Sequence, residues 1–315
     1  MEARVEIPSS IESNFSSLYK YSGKNAEVSQ QERRDQFLKE QKEKRHNCVD
    51  KYRDLTQFFG ENDDTETSAE PMECETQVKK RRKPMPFYLM KSEWFCYIPD
   101  DLADNWVVKF VPEGFRVLVL AKNHRTECYN EKGKMMTLKT CLPGGGLDRN
   151  NGETVLDCIY SKASKTIFVL DCLRWNTMLM LDSETTFRFY WLKTKFDENV
   201  TYTQSNRGHK LELLNFVPAQ TPLIQDEMFR PMVIEGQKVL YDGVVFYHKE
   251  SHYVLGETPL VGWLFSYMLP EKLNIDVLPE NMAKMPKKYK CLEEYLERKY
   301  KKAEKRRGEL KMEVS

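Results

Sequence analysis

Long apolar runs are missing from this sequence. Nowhere in its 315 residues do about eighteen apolar residues follow one another, and the first thirty hold no basic start followed by an apolar core. Neither a membrane span nor a secretory leader is expected. Paired cysteines are missing too. The eight cysteines, Cys48, Cys74, Cys96, Cys128, Cys141, Cys158, Cys172 and Cys291, include no C-x-x-C spacing, and most stand in apolar stretches. This excludes a zinc framework and fits a reduced, intracellular chain that needs no metal and no cofactor. Net charge is almost absent: 49 Lys and Arg offset 48 Asp and Glu to leave +1. No internal repeat is present, and no G-K-[ST] follows Gly144 to Gly146, so these glycines predict a turn and not a phosphate loop. His248 and His252 have a metal-like spacing, but on a strand and turn they need not share a face.

What is present is charge sorted along the chain. Residues 1–27 are polar and serine-rich, dotted with Val5, Ile7, Ile11, Phe15 and Leu18, and read as a flexible N-terminus. Residues 28–57 hold no glycine or proline and place Glu32 three residues after Ser29, the spacing of a capping box. They predict an extended helix whose apolar positions, Phe37, Leu38, Val49, Tyr52 and Leu55, are too few to drive burial in a core. Arg33, Arg34, Lys39, Lys42, Lys44 and Arg45 surround it with positive charge, so it calls for an acidic partner. Residues 58–84 form a linker, acidic at first and then basic in KKRRKP, a run that suits a nuclear localisation signal or the flank of an RNA-binding domain.

From 85 to 280 the pattern changes to short β-branched and aromatic runs between turn residues: WVVKFVP, FRVLVLA, TVLDCIYS, TIFVLDCL, TFRFYWLK, LELLNFVPA and DGVVFYHKE. They predict an α+β fold that is mainly antiparallel β, with LIQDEMFR as one helix. Residues 281–315 read as a basic C-terminal tail carrying a solvated helix.

Four segments of the 85–280 domain resemble, in order, the boxes of capping guanylyltransferases and polynucleotide ligases. V-P-E-G-F-R, residues 111–116, looks like the box whose lysine attacks the α-phosphate, with Val111 in the lysine's place. L-D-C-I-Y, residues 156–160, resembles the L-D-G-E box, with Ile159 where the enzymes hold glutamate. DGVVFY, residues 242–247, keeps an acidic-glycine pair, and PLVGWL, residues 259–264, holds Gly262 and Leu264 where phosphate-binding lysines would stand. A nucleophile needs a lone pair, which valine lacks. The losses together describe a nucleotide pocket without its reaction, that is, a pseudoenzyme.

The strings K-S-E-W (91–94), L-P-G-G (142–145), F-R-F-Y-W (187–191), D-G-V-V-F-Y-H-K (242–249) and T-P-L-V-G-W-L (258–264), with the basic helix ahead of them, resemble the snurportin family. The resemblance implies an adaptor that binds the trimethylguanosine cap of U snRNA particles, an importin-β-type receptor, and an export receptor through the N-terminal region. It would shuttle between cytoplasm and nucleus. The cap site it implies comprises Trp263 as a stacking face, Ser92 against the base, Trp94, Arg116 near the phosphates, and a phosphate-contacting lysine beside Gly133. For that last position Glu131 or Lys132 can align, and only Lys132 suits the charge. Trp94 fits a core position equally, and Arg116 a surface strand. Lys91 departs from the family's apolar residue. The importin contacts fall on Arg33, Arg34, Lys39, Lys42, Lys44 and Arg45, although Asp35 and Gln36 interrupt the arginine cluster. The alternatives are an active guanylyltransferase or ligase, and a regulator that binds the monomethylated cap.

Overall fold

A computed structural model describes residues 25–44, 89–146, 152–203, 209–230, 232–234, 236–299 and 301–302. The expectations for residues 1–24, for Arg45 and for KKRRKP lie outside these residues. So does the second half of the long helix. Among the described residues no helix is long and apolar enough to cross a membrane.

The first element is helix α1 (Asn25–Lys44), and a short helix α2 (Leu102–Asn105) comes later in the chain. Helix α1 starts four residues before Ser29, so the capping box expected there lies inside the helix instead of at its end. A five-stranded sheet follows, with β1 (Met90–Trp94), β2 (Trp106–Pro112), β10 (Phe216–Pro218), β13 (Tyr241–His248) and β14 (Gly256–Phe265) in the order β1-β14-β13-β2-β10. Within this sheet β1 and β14 pair in parallel and the other neighbours antiparallel. The second sheet runs β5-β4-β3-β6-β7-β8, with β9 (Lys210–Leu213) also on β7. Its strands are β3 (Phe115–Lys122), β4 (Arg125–Asn130), β5 (Gly133–Leu138), β6 (Thr154–Ser161), β7 (Thr166–Trp175) and β8 (Met178–Leu179). A small hairpin, β11 (Met232–Ile234) with β12 (Gln237–Val239), stands apart. The fold is α+β and mostly antiparallel.

Both sheets are covered on both faces, which explains why their strands read as continuous apolar runs. Along β2, Val107 and Val111 join Leu118, Leu120, Ile159 and Phe168 between the sheets, while Trp106, Val108 and Phe110 face outward onto Ile224, Met268 and Leu269. On the far side, Val117, Val119 and Ala121 of β3 pack under Leu192 and Phe196.

Those last two residues belong to helix α3 (Thr185–Glu198), so TFRFYWLK is helical and not the strand its composition suggests. The residues it buries, Thr185, Arg188, Phe189, Leu192 and Phe196, recur at helical spacing. Two of them are polar, which hides the period from any purely apolar reading. LIQDEMFR does form a helix, α4 (Thr221–Phe229). The C-terminal stretch also differs from expectation. Residues 292–299 are helical, and Leu292 and Leu296 are buried in the outer core of the first sheet, so the domain continues past residue 280.

Candidate functional site

β1 and β14 carry three of the five cap residues singled out from the sequence, Ser92, Trp94 and Trp263. Successive side chains on a strand point to opposite faces. Trp263 is half-buried, and its neighbour Gly262 turns the other way. The indole lies across Gly243 of β13, where an added Cβ would stand 2.5 Å from Trp263 Cζ2 and Cη2. Gly243 thus leaves room both for the ring and for the Leu264 carbonyl, which that Cβ would approach to 2.4 Å. Phe265 meets Trp263 edge-on at 5.5 Å and Trp94 at 5.7 Å, and Trp94 is the register partner of Trp263. Trp94 also packs edge-on against Tyr295 at 5.6 Å, with Lys299 over its ring at 4.8 Å, so the C-terminal helix covers part of it.

A cavity of about 450 Å³ opens beside these strands, lined by Leu89, Lys91, Phe115, Arg116, Asn130, Glu131 and Lys132. It brings three cations and an aromatic ring to one place. Of the sequence-derived cap residues, Arg116 and Lys132 line it. Ser92 adjoins Lys91 on β1, and the two tryptophans stand farther along the strand pair. The β4–β5 turn is shaped by the Lys132 amide donating to Asn130 Oδ1 at 2.9 Å and by Gly133 at φ +112°. Both Glu131 and Lys132 are on the cavity wall, so its charge there is mixed.

Arg116 is neither a bare surface arginine nor a free phosphate ligand. Its Nε donates to Asp157 Oδ1 at 2.8 Å and its Nη2 to the other carboxylate oxygen. Tyr253 donates its hydroxyl to the same aspartate at 2.7 Å while accepting the Met90 amide at 3.2 Å. This network ties the start of β1 to β3 and β6 across the cleft. Asp157 and Tyr253 were not singled out from sequence; Asp157 stands in the L-D-C-I-Y string, and its arginine partner is 41 positions away.

Val111 and Ile159 are both buried between the sheets. Lys109, two residues before Val111 and on the same face, is fully enclosed. Its Nζ donates to the Leu170 carbonyl at 2.6 Å and sits 3.7 Å from the Phe189 ring centre. Burial lowers its pKa to about 7, although Asp171 works in the opposite direction. His248 and His252 are buried, and His248 packs edge-on against Trp106.

The basic positions of α1 do not all face outward. Arg33 and Arg34 are turned onto the domain and Lys42 meets Glu250 at 2.9 Å, whereas Lys39 is exposed. The acidic partner expected for this helix is, for Arg33, Glu93 of the same chain. A second cavity of about 450 Å³, at the β10 edge among Tyr190, Lys193, Phe216 and Lys249, holds none of the sequence-derived residues.

Two solved structures with similar folds are ligases. The ligase domain from M. tuberculosis LigD matches at 13% identity, TM-score 0.38, over 56% of this chain and 58% of that one. The Chlorella virus DNA ligase-adenylate matches at 11% identity, TM-score 0.33, over 55% and 64%. The chain spans less than two thirds of the length of each of these two ligases. The family model described as the Snurportin1 m3G cap-binding domain matches residues 88–266, more than half of the chain, and a second described as Snurportin1 matches residues 16–54. With β1, the cationic cleft and the Trp263 strand inside the first match and helix α1 largely inside the second, the chain belongs to the Snurportin1 family.

Proposed function

We propose that this chain binds the 2,2,7-trimethylguanosine cap of spliceosomal U snRNAs and acts as an import adaptor for the capped particle, without catalysing a reaction. The reading is carried by Trp263, a tryptophan seated on Gly243 with part of its ring open, in the strand pair beside a cavity lined by Lys91, Arg116 and Lys132. An N7-methylated guanine is a flat cation. Stacking on an aromatic face contributes about 1–3 kcal/mol per base, and the cation-π attraction roughly 0.5–2 kcal/mol. The cap's phosphates need cations at hydrogen-bond reach, which the cavity supplies. Two methyl groups on N2 remove its donors, so recognition there rests on contact surface. Ser92 and Trp94 complete the proposed site.

The absence of catalysis is supported by Val111 and Ile159, which put apolar side chains where the enzymes keep a nucleophile and a carboxylate. Lys109 does not replace the lost lysine, because it is sealed between the sheets. Import is assigned to α1 and its continuation, residues 28–57, through an importin-β-type receptor, with Arg33, Arg34, Lys39, Lys42, Lys44 and Arg45 as the contacts. Export is assigned to residues 1–27, and the protein shuttles between nucleus and cytoplasm.

One titration tests the reading: tryptophan fluorescence with trimethylated, monomethylated and unmethylated cap dinucleotides. Quenching strongest for the trimethylated cap supports it. Equal response to all three, or none, overturns it, and strongest binding of the monomethylated cap turns the protein into a regulator of another RNA class.

A further inference from the structure

The cavity at the β10 edge takes no part in the function proposed above. Its volume of about 450 Å³ falls within the roughly 300–1,000 Å³ of small-ligand sites. Phe216 of β10 walls it with Asn215 beside it, α3 supplies Thr186, Tyr190 and Lys193, and Lys249 closes it just after β13. The last residue is held in place, its amide donating to the Asn105 carbonyl at 2.8 Å and its carbonyl accepting the Thr186 amide at 3.4 Å. None of the described lining residues is acidic.

The rings here are not spent on the core. Helix α3 already buries Thr185, Arg188, Phe189, Leu192 and Phe196, whereas Tyr190 is 60% exposed and Phe187 49%. Tyr190 meets Phe216 edge-on at 5.1 Å, and Phe189 backs Phe216 at 5.4 Å. Phe187 stacks on Trp191 at 6.0 Å, with Lys195 over that indole at 4.9 Å. Phe187, Tyr190 and Lys193 recur at three-residue spacing and so form one ridge. A lone exposed ring is ordinary. Two on one ridge, beside a cavity and cations, make a surface for flat anionic groups. Lys193 meets Asp197 at 2.8 Å, but both are exposed, and a pair of this kind holds its charges loosely. Lys249 donates to the Asp104 carbonyl, an uncharged acceptor.

We propose that this cavity and the α3 ridge bind an unpaired stretch of RNA, with a base on Tyr190 beside Phe216 and phosphates at Lys193 and Lys249. Carboxylates of an acidic protein would satisfy the lysines but bring no flat face to the rings. Bases do, and they stack on aromatic side chains whatever their sequence. The Asn215 amide, both donor and acceptor, suits a base edge. β10 and the β1–β14 pair are opposite edges of one sheet, with β1 four strand spacings or roughly 19 Å from β10. The two sites therefore take different parts of an RNA. That this RNA is the body of the capped molecule rests on the cap function proposed above, whereas the stacking and the charge do not.

An uncapped single-stranded RNA tests the site on the full chain. Carrying 4-thiouridine and irradiated, it is expected to give its main adduct on Tyr190 or Phe216. Anisotropy titration of the same RNA, labelled with fluorescein, is expected to show Tyr190→Ala binding about tenfold more weakly. Lys193→Gln combined with Lys249→Gln is expected to lower the slope of log K against log salt by roughly 1.4, about 0.7 for each phosphate. Affinity for a trimethylated cap dinucleotide is expected to be the same in every variant. No RNA binding, adducts confined to other elements, or variants that bind RNA as the wild type does would overturn the site. Competition by poly-glutamate as strong as by unlabelled RNA would overturn the nucleotide and make the surface a protein contact. If cap dinucleotides do not bind while the adduct and the variant effects hold, the cap reading has failed and this site has not.

Discussion

Arg116 and Arg188 make the same contact in two different settings. Each grips a fully buried aspartate with two nitrogens, Asp157 for Arg116 and Asp171 for Arg188. Arg188 is sealed: its remaining donors reach the carbonyls of Ser183 at 2.6 Å and Ser251 at 3.0 Å and the Thr185 hydroxyl at 3.2 Å. Arg116 keeps 29% of its side chain exposed, on the wall of the cationic cavity. The difference teaches that burial of an arginine pair does not fix its role. What decides is whether protein or open space lies beyond the guanidinium. Where protein does, as around Arg188, the pair fastens α3 to β7. Where a cavity does, as beside Arg116, the same pairing leaves part of the guanidinium at open space, where the proposed cap phosphates would meet it.

Removing the sealed arginine gives the largest effect. Arg188→Leu leaves Asp171 buried without its counter-charge and takes the arginine's donor from the Ser183 carbonyl, a loss of about 3–5 kcal/mol. Denaturant unfolding should show it, and cap binding per folded molecule should stay unchanged. A variant as stable as the wild type would break the comparison at its structural end. Next comes Trp263→Ala, which should cost about 1–3 kcal/mol or more of cap affinity through lost stacking while the fold persists. The ring is half open and lies on a glycine, so little core is emptied. Normal cap binding, or an unfolded variant, would mean that Trp263 is a core residue.

How far the sequence allowed these roles to be foreseen depended on what kind of signal each left. The strands WVVKFVP and TVLDCIYS were legible because sheets covered on both faces demand β-branched and aromatic residues at every position. Val111 and Ile159 lie buried between the sheets, as the apolar runs that contain them lead one to expect. TFRFYWLK was misread because buried Arg188 and exposed Phe187 and Tyr190 blur the apolar period of a real helix. The docking of α1 was invisible for a related reason: its anchor is Arg34, and a hydrophobicity pattern marks every arginine as solvent-facing. Asp157 and Tyr253 meet across 96 positions, a separation that no local spacing records.

Two lysines extend the same contrast. Lys132 is on an exposed turn at the cavity, and Lys109 is enclosed between the sheets. For Lys109 the pKa falls from 10.5 to about 7 on folding, mainly through burial. The unfolded chain therefore binds the proton more tightly. Below about pH 7 both states are protonated and the cost of the buried charge is present in full. Between pH 7 and about 10.5 the folded state sheds its proton first, so this contribution to stability rises with pH. Lys109→Met removes the charge but leaves the Leu170 carbonyl without its donor, which costs about 1–3 kcal/mol. The balance should favour the variant by about 1 kcal/mol at pH 6 and favour the wild type at pH 10. Thermal unfolding of both proteins across that range checks the crossover. A constant difference would show that Lys109 does not titrate in the folded protein.

The smallest expected effect returns to Arg116 and is the most discriminating. Arg116→Ala deprives Asp157 of its bidentate partner, but Tyr253 still donates to that carboxylate and water can enter where the guanidinium was partly exposed. Stability should therefore fall by less than for Arg188→Leu, whose site is closed to solvent. Cap affinity should fall by about 1 kcal/mol or somewhat more, as for one hydrogen bond to a charged group, and the loss should shrink at high salt because the cavity is open to screening. Arg116→Lys separates the two contributions. It keeps a positive charge at the cavity and gives up the planar fork that matches Asp157. If the role is to present charge to the phosphates, lysine restores part of the affinity. If the role is only to brace β3 against β6, cap binding follows stability in both variants, and lysine, lacking the fork, restores the one only as far as it restores the other. Titration of both variants with the trimethylated cap dinucleotide, alongside their unfolding curves, distinguishes the two: affinity that tracks stability alone would make Arg116 a second Arg188, and the comparison between the open and the sealed pair would collapse.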